Sequence, residues 1–218
     1  NAALSASDHQ MTKVSMTPKH AGALTELSRN MLQQSSPDIE QLVRGDFAAI
    51  LAEAVDSVAI SGGGSNEPEG ILANSDVSET TWDTDYITTA ADMIAALDTS
   101  NANAMRSFLT TPGIRADAIK AKTTDGLSIK ISQHFHDEPV AFSNLVPTNL
   151  GVGTDEHGIL YGDWADLLIG YWSAFDILVN PFESTAYSKG NVQVRAMLTC
   201  DVAVRHAESF TYTSKAPA

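Results

Sequence analysis

Between Val192 and Val204 one phase is apolar throughout, Val192, Val194, Ala196, Leu198, Cys200, Val202 and Val204, while Gln193, Arg195, Thr199 and Asp201 fall in the other. A period of two over thirteen residues predicts a long strand with one face buried and one face polar. The other long pattern lies early. Ile39, Val43, Phe47, Ile50, Ala54 and Val58 recur at helical spacing, with Glu40, Arg44, Glu53 and Asp56 outside the stripe. Ser36, Pro37 and Asp38 form a helix start, with a hydroxyl cap, a proline at the first helical position and negative charge at the positive end of the dipole. The predicted helix, about 37–61, is a spine of roughly 35 Å at about 1.5 Å per residue. Gly45 inside it points to a close neighbour or a bend. Gly62, Gly63 and Gly64 end it with left-handed backbone, and Pro68 keeps the chain from resuming helix before Gly70 and Ile71.

Shorter elements fill the rest. Residues 1–10 are small and polar and are expected to be mobile. Met11 to Leu27 reads as extended chain broken at Pro18, and Arg29–Gln34 as a short helix capped by Ser28. Asn74–Thr84 is a polar connection, followed by a helix marked by Ile87, Ala91, Ile94 and Leu97. A strand over Met105–Thr110, a turn at Pro112-Gly113 and a helix over Ile114–Lys122 come next. After a turn at Asp125-Gly126, Leu127, Ile129, Ile131 and Phe135 alternate with Ser128, Lys130, Ser132, His134 and His136, which predicts a strand. Further strands are read over Val140–Val146, Ile159–Tyr161, Trp164–Tyr171 and Ala174–Val179, with breaks at Gly162-Asp163 and near Trp172-Ser173. Thr148–Gly158 and Pro181–Asn191 are read as loops. The sum is an α+β chain.

Three sets of residues carry a family resemblance. A long helix followed by Gly62-x-Gly64-x-x-x-Pro68-x-Gly70-Ile71-Leu72, preceded by Thr17-Pro18-Lys19 and Leu27-Ser28-Arg29, resembles tailed-phage major capsid proteins with the Hong Kong 97-type fold. Gly162-Asp163-Trp164 and the strands around Val192 to Val204 resemble that family's closing segment, so the likeness runs over roughly residues 15–210. Glu67 and Glu69 depart from the amide and basic residues of the family's turn. The resemblance implies a peripheral domain at 16–75 and 160–210 and an axial domain, mixed α/β, at 76–159. It further implies a remnant of an extended loop or arm at 1–15 and a C-terminal tail at 211–218. Because the family carries a longer arm and loop ahead of this region, a fragment is expected.

The implied function is a structural subunit of an icosahedral viral capsid, a homo-oligomer of pentamer and hexamer capsomers around packaged double-stranded DNA, contacted without sequence specificity. Scaffold, protease, portal and decoration proteins are the implied further partners, the virion capsid is the implied location, and the host cytoplasm the place of assembly. A related cellular compartment shell, or a metal-dependent hydrolase, is the alternative.

Composition narrows this further. Thirteen Lys and Arg stand against 27 Asp and Glu, a formal charge of -14, which is opposite to the basic footprint of a dedicated nucleic-acid binder. Mean hydropathy is -0.08 and no run approaches a membrane span of about 18 apolar residues, so no membrane partner is expected. Cys200 is the single cysteine, which excludes an intramolecular disulfide, and its apolar phase reads as core.

His134-x-His136 with Asp137 and Glu138 has a spacing that permits a metal, but the shared face with Ser128, Lys130 and Ser132 reads as solvated surface. Gly62-Gly63-Gly64-Ser65 leaves a helix C-terminus, the wrong end for a phosphate. Asp163, Asp166 and Asp176 read as turn and edge residues. No catalytic, cofactor-binding or metal residue is assigned, no cofactor is expected, and an enzyme is not predicted.

Overall fold

The computed structural model describes residues 13–34, 39–102, 104–123, 126–151 and 153–215. Its elements in order are β1 (Lys19–Leu27), α1 (Arg29–Gln34), α2 (Ile39–Ser61), β2 (Ser78–Glu79), α3 (Tyr86–Ser100), β3 (Arg106–Thr110) and α4 (Pro112–Lys120). Then follow α5 (Ile131–His134), β4 (Val140–Phe142), β5 (His157–Asp163), β6 (Leu167–Asn180), α6 (Ser184–Lys189), β7 (Val192–Val204) and β8 (Phe210–Lys215). An antiparallel three-stranded sheet has the order β1-β7-β6, and a mixed five-stranded sheet the order β2-β8-β5-β3-β4. The expected α+β class is the observed one.

The spine helix lies on the three-stranded sheet. Phe47, Leu51 and Val55 pack with Leu27, Val194, Ala196, Leu198 and Cys200, so the phase predicted for the last strand is the phase that meets the helix. The predicted helix stripe needs correction: Ile50 is 53% exposed and Leu51 3%. The covered positions follow steps of four, 39-43-47-51-55-59, with Val43 half-buried and the others buried, an inclined ridge rather than a line along the axis. Ser36, Pro37 and Asp38 lie outside the described residues, as do residues 1–12 and Asp125. Among the described residues nothing lies within 4 Å of where a Cβ on Gly45 would stand, so none of them accounts for it as a close neighbour.

The glycine turn works by two mechanisms, and only one is the left-handed backbone expected at all three glycines. Gly64 has φ +77°, whereas Gly62 and Gly70 are points of close approach. A Cβ on Gly70 would come within 2.5 Å of the Val58 carbonyl oxygen and 2.6 Å of the Gly62 nitrogen. This closeness lets the returning chain close the helix end: Ile71 N–H donates to Ala59 O (3.0 Å) and Leu72 N–H to Ile60 O (2.9 Å). Lys19 fastens the turn to β1 by donating to the carbonyl oxygens of Gly64 (3.1 Å) and Glu67 (2.6 Å).

Both faces of the five-stranded sheet are covered. On one, Ala90, Met93 and Leu97 of α3 and Ile114 of α4 pack with Phe108, Phe135, Ile159 and Tyr161. On the other, Ile60, Ile71, Val77 and Val146 pack with Leu160 and Phe210 and join this sheet to the end of the spine. The α3 stripe is Ala90, Met93 and Leu97, and Ile87 is exposed.

Several shorter elements differ from expectation. Pro112 and Gly113 open α4 instead of forming a turn, because Thr111 caps it through Oγ1 to Ile114 N–H (3.3 Å) and proline suits the first turn. The strand expected at 127–135 is mostly irregular and ends in α5. Ile131 and Phe135 are four apart and fit both periods, and Lys130 N–H donating to Gln133 Oε1 (3.2 Å) selects the helix. Only Val140–Phe142 of the strand expected over Val140–Val146 is formed. β5 runs through Gly162 and ends at Asp163, which caps the following 3-10 turn. The two strands read over 164–179 are one, β6, with register shifts between Tyr171 and Ser173 and between Ser173 and Asp176. The loop 181–191 contains α6, started by Glu183 accepting from Ala186 N–H (2.8 Å). The expected tail contains β8, which sits between β2 and β5.

Candidate assembly interface

The residues weighed for chemistry are dispersed. His134 is buried in the second sheet's helical layer, while His136 turns outward with Nε2–H donating to Ile87 O (2.9 Å), so they share no face. This corrects the solvated reading of His134, whose place is fixed by the helix that replaces the strand. Asp163 is buried and accepts backbone N–H bonds from Ala104 (2.7 Å), Met105 (2.9 Å) and Ala165 (3.2 Å). Burial raises its pKa, but those N–H groups and Arg106 outweigh burial and hold it below the usual carboxylate range. Asp166 accepts from Ser209 Oγ (2.6 Å) and Asp176 lies exposed on β6. Burial, with Asp201 beside it, pushes the Cys200 thiol up, the opposite of an activated nucleophile. Among the described residues no group of three or more His, Cys, Asp or Glu is placed to hold a metal. No helix of the described residues is long and apolar enough to cross a membrane.

What the structure does concentrate is uncovered apolar surface on β6. The register with β7 places Leu167, Ile169 and Tyr171, and after the shifts Ile177 and Val179, on the side of α2; Leu168 and Leu178 lie on the other, with the Trp172 ring 3.5 Å from where a Cβ on Gly170 of that face would stand. Helix α2 lies over β1 and β7; of these β6 residues Ile177 packs into the core beneath it, and Leu167 packs against the cluster at the helix end that includes Ile60. Ile169, Tyr171 and Val179 stay exposed on one side, Leu168, Trp172 and Leu178 on the other, with Tyr171 60% accessible. The outer edge of β6 has no partner strand among the described residues. At the end of the hairpin Phe182 is 80% exposed and Tyr187 exposed beside it on α6.

An apolar strand open on two faces and one edge is a template for pairing, and monomers normally blunt such strands with charge. The arrangement can bury surface against another protein. The sequence carried a signal that was not read: Leu-Leu-Ile-Gly-Tyr-Trp-Ser-Ala-Phe-Asp-Ile-Leu-Val is apolar in both phases, the mark of a strand covered on both faces.

A family model described as the phage capsid family matches residues 1–214. The chain belongs to the phage capsid family. Among its relatives is the major capsid protein of Halomonas phage phiHAP-1, 26% identical over 221 residues. That match covers 97% of this capsid-family chain and 34% of the relative, so the chain spans about a third of that protein's length. The solved capsid of an empty GTA particle, computed with C5 symmetry, matches with a TM-score of 0.80 at 20% identity, covering 99% of this chain and 78% of that one. The chain from Gordonia phage Cozz matches with a TM-score of 0.70 at 16% identity, covering 100% and 79%. The fold is the Hong Kong 97-type capsid fold.

Proposed function

We propose that this chain is a structural, non-enzymatic subunit of an icosahedral viral shell, a major capsid protein that self-associates into pentamers and hexamers around packaged double-stranded DNA. The observation that carries the reading is β6: a fourteen-residue strand, apolar on both faces, left largely uncovered and without an edge partner among the described residues. Membership of the phage capsid family and the capsid neighbours support further copies of the same chain as the partner of that surface.

In this reading α2 and the three-stranded sheet form the peripheral domain, and the five-stranded sheet with α3, α4 and α5 the axial domain. The boundary follows the sheets, so β5 and β8 go with the axial part. The charge of -14 suits a container wall that meets DNA without holding it. Scaffold, protease, portal and decoration proteins are the other partners the reading implies, with assembly in the host cytoplasm and residence in the virion capsid.

Electron microscopy of the full-length product, with a nuclease-protection assay on particles from infected or induced cells, tests it. Closed icosahedral particles that shield DNA are expected. A full-length protein that remains monomeric at high concentration and is missing from DNA-protecting particles would overturn it.

A further inference from the structure

Three successive side chains hold α5 to its neighbours, and each does so differently. Phe135 is fully buried with its ring 5.0 Å from that of Phe108, and His136 donates outward to the Ile87 carbonyl. His134 points inward, 3% exposed, its ring edge-on to Tyr86 with centroids 5.7 Å apart. Among the described residues neither imidazole nitrogen of His134 meets a hydrogen-bond partner, nor does the buried Tyr86 hydroxyl beside it. The chain then turns through two left-handed residues that carry a Cβ, His136 (φ 53°) and Asp137 (φ 61°), a conformation both disfavour.

We infer that α5 and its flanking turns, residues 130–138, form an acid-released clasp, docked on α3 and α4 while His134 is neutral and opened by protonation of that imidazole without unfolding of the sheets. A charged imidazole needs acceptors, and among the described residues none reaches either nitrogen at hydrogen-bond geometry. From α3 come Tyr86 and Asp85, and Asp85 is engaged in accepting Thr88 N–H (2.7 Å) as the helix cap. From α4 come the Ala118 backbone, which favours the charged form without reaching either nitrogen at hydrogen-bond geometry, and Asp117. Asp117 lies 3.8 Å from Lys215 of β8, whose ammonium sits 5.2 Å from the Tyr86 ring centroid. On the clasp itself Lys130, Asp137 and Glu138 are in the turns on either side. Burial is the largest influence on His134 and holds its pKa below that of an exposed histidine, against the opposing pull of Ala118 and Asp85.

The sign follows from linkage. A native imidazole with a lowered pKa binds protons less readily than the opened one, so the docked state loses stability as pH falls below about 6.5 and is unaffected above it. Hydrogen exchange on the full chain reads this directly through the amides of Phe135 and Asp137, bonded to Ser132 O, and of Glu138, bonded to Phe135 O. With intrinsic exchange chemistry divided out, the local opening constant is expected to rise about tenfold from pH 7.5 to 5.5, the limit for one imidazole that stays neutral when docked. Amides at the centres of β3 and β5 should not follow. His134→Gln removes the pH dependence and His136→Gln keeps it. An opening constant equal at both pH values in the wild type, or a dependence that survives His134→Gln, overturns the proposal. Should His134→Gln fail to fold, the wild-type imidazole resonance decides: a midpoint below 6.5 that coincides with opening supports the clasp, and a midpoint at or above 6.5 contradicts it.

Discussion

β5 and β6 are consecutive strands separated by one 3-10 turn, and both carry apolar side chains in both phases. β5 is buried along nearly its whole length: Ile159 and Tyr161 lie under α3 and α4, while Leu160 faces Ile60, Ile71 and Phe210. β6 leaves large apolar side chains exposed on both of its faces. The same kind of strand is thus finished within its own fold in one place and left unfinished in another. The difference lies in what surrounds each strand. The five-stranded sheet has covering layers on two sides, whereas the three-stranded sheet has one helix laid over two of its three strands. One region is closed by its own covering layers, and the other leaves apolar surface open, the surface proposed to be buried on association.

Truncation at the centre of the finished region should have the largest effect. Phe108→Ala removes a fully buried ring stacked 4.1 Å from Tyr161 and is expected to cost about 3–5 kcal/mol, read by chemical denaturation. A loss under 1 kcal/mol would mean that this sheet does not carry the fold. Next in size, Asp163→Asn takes an acceptor oxygen from the three backbone N–H groups at the end of β5, with an expected loss of about 1.5–3 kcal/mol at neutral pH. Because the native carboxylate titrates below its usual value, its contribution is complete above about pH 4 and disappears as pH falls through the native pKa. The variant should therefore lose less stability on acidification than the wild type does. In the unfinished region, Gly45→Ala should raise stability by up to about 1 kcal/mol, since a Cβ there meets nothing and helix propensity improves. A decrease would show that the glycine serves the isolated chain.

How much of this was legible follows the physics of each element. β7 and the spine helix were read nearly to the residue, because one face of each is buried along the whole length and the period has no rival. The spine stripe slid by one residue from Ile50 onward, to Leu51, Val55 and Ala59, because apolar residues stand at both positions of each pair and the period alone admits either. α5 was hidden because Ile131 and Phe135 satisfy both periods. β8 was hidden because its buried positions include Thr211 and Thr213, polar residues inside a sheet; Thr211 Oγ1 donates to Ser78 O (2.9 Å). His134 was read on a wet face because the wrong period put it beside lysine and serine. The assembly surface was present in the sequence as an apolar run, but hydropathy cannot say whether the layer that covers a strand belongs to the same chain.

The claim that β6 is covered only by other copies is tested most directly by sedimentation velocity of the full-length protein carrying Ile169→Asp and Leu178→Asp, one charge on each face of the strand, alongside the wild type. The account predicts assemblies for the wild type and monomer alone for the variant, with folding stability changed by no more than about 0.5 kcal/mol, as for exposed sites. Wild-type association by the folded double variant would contradict it.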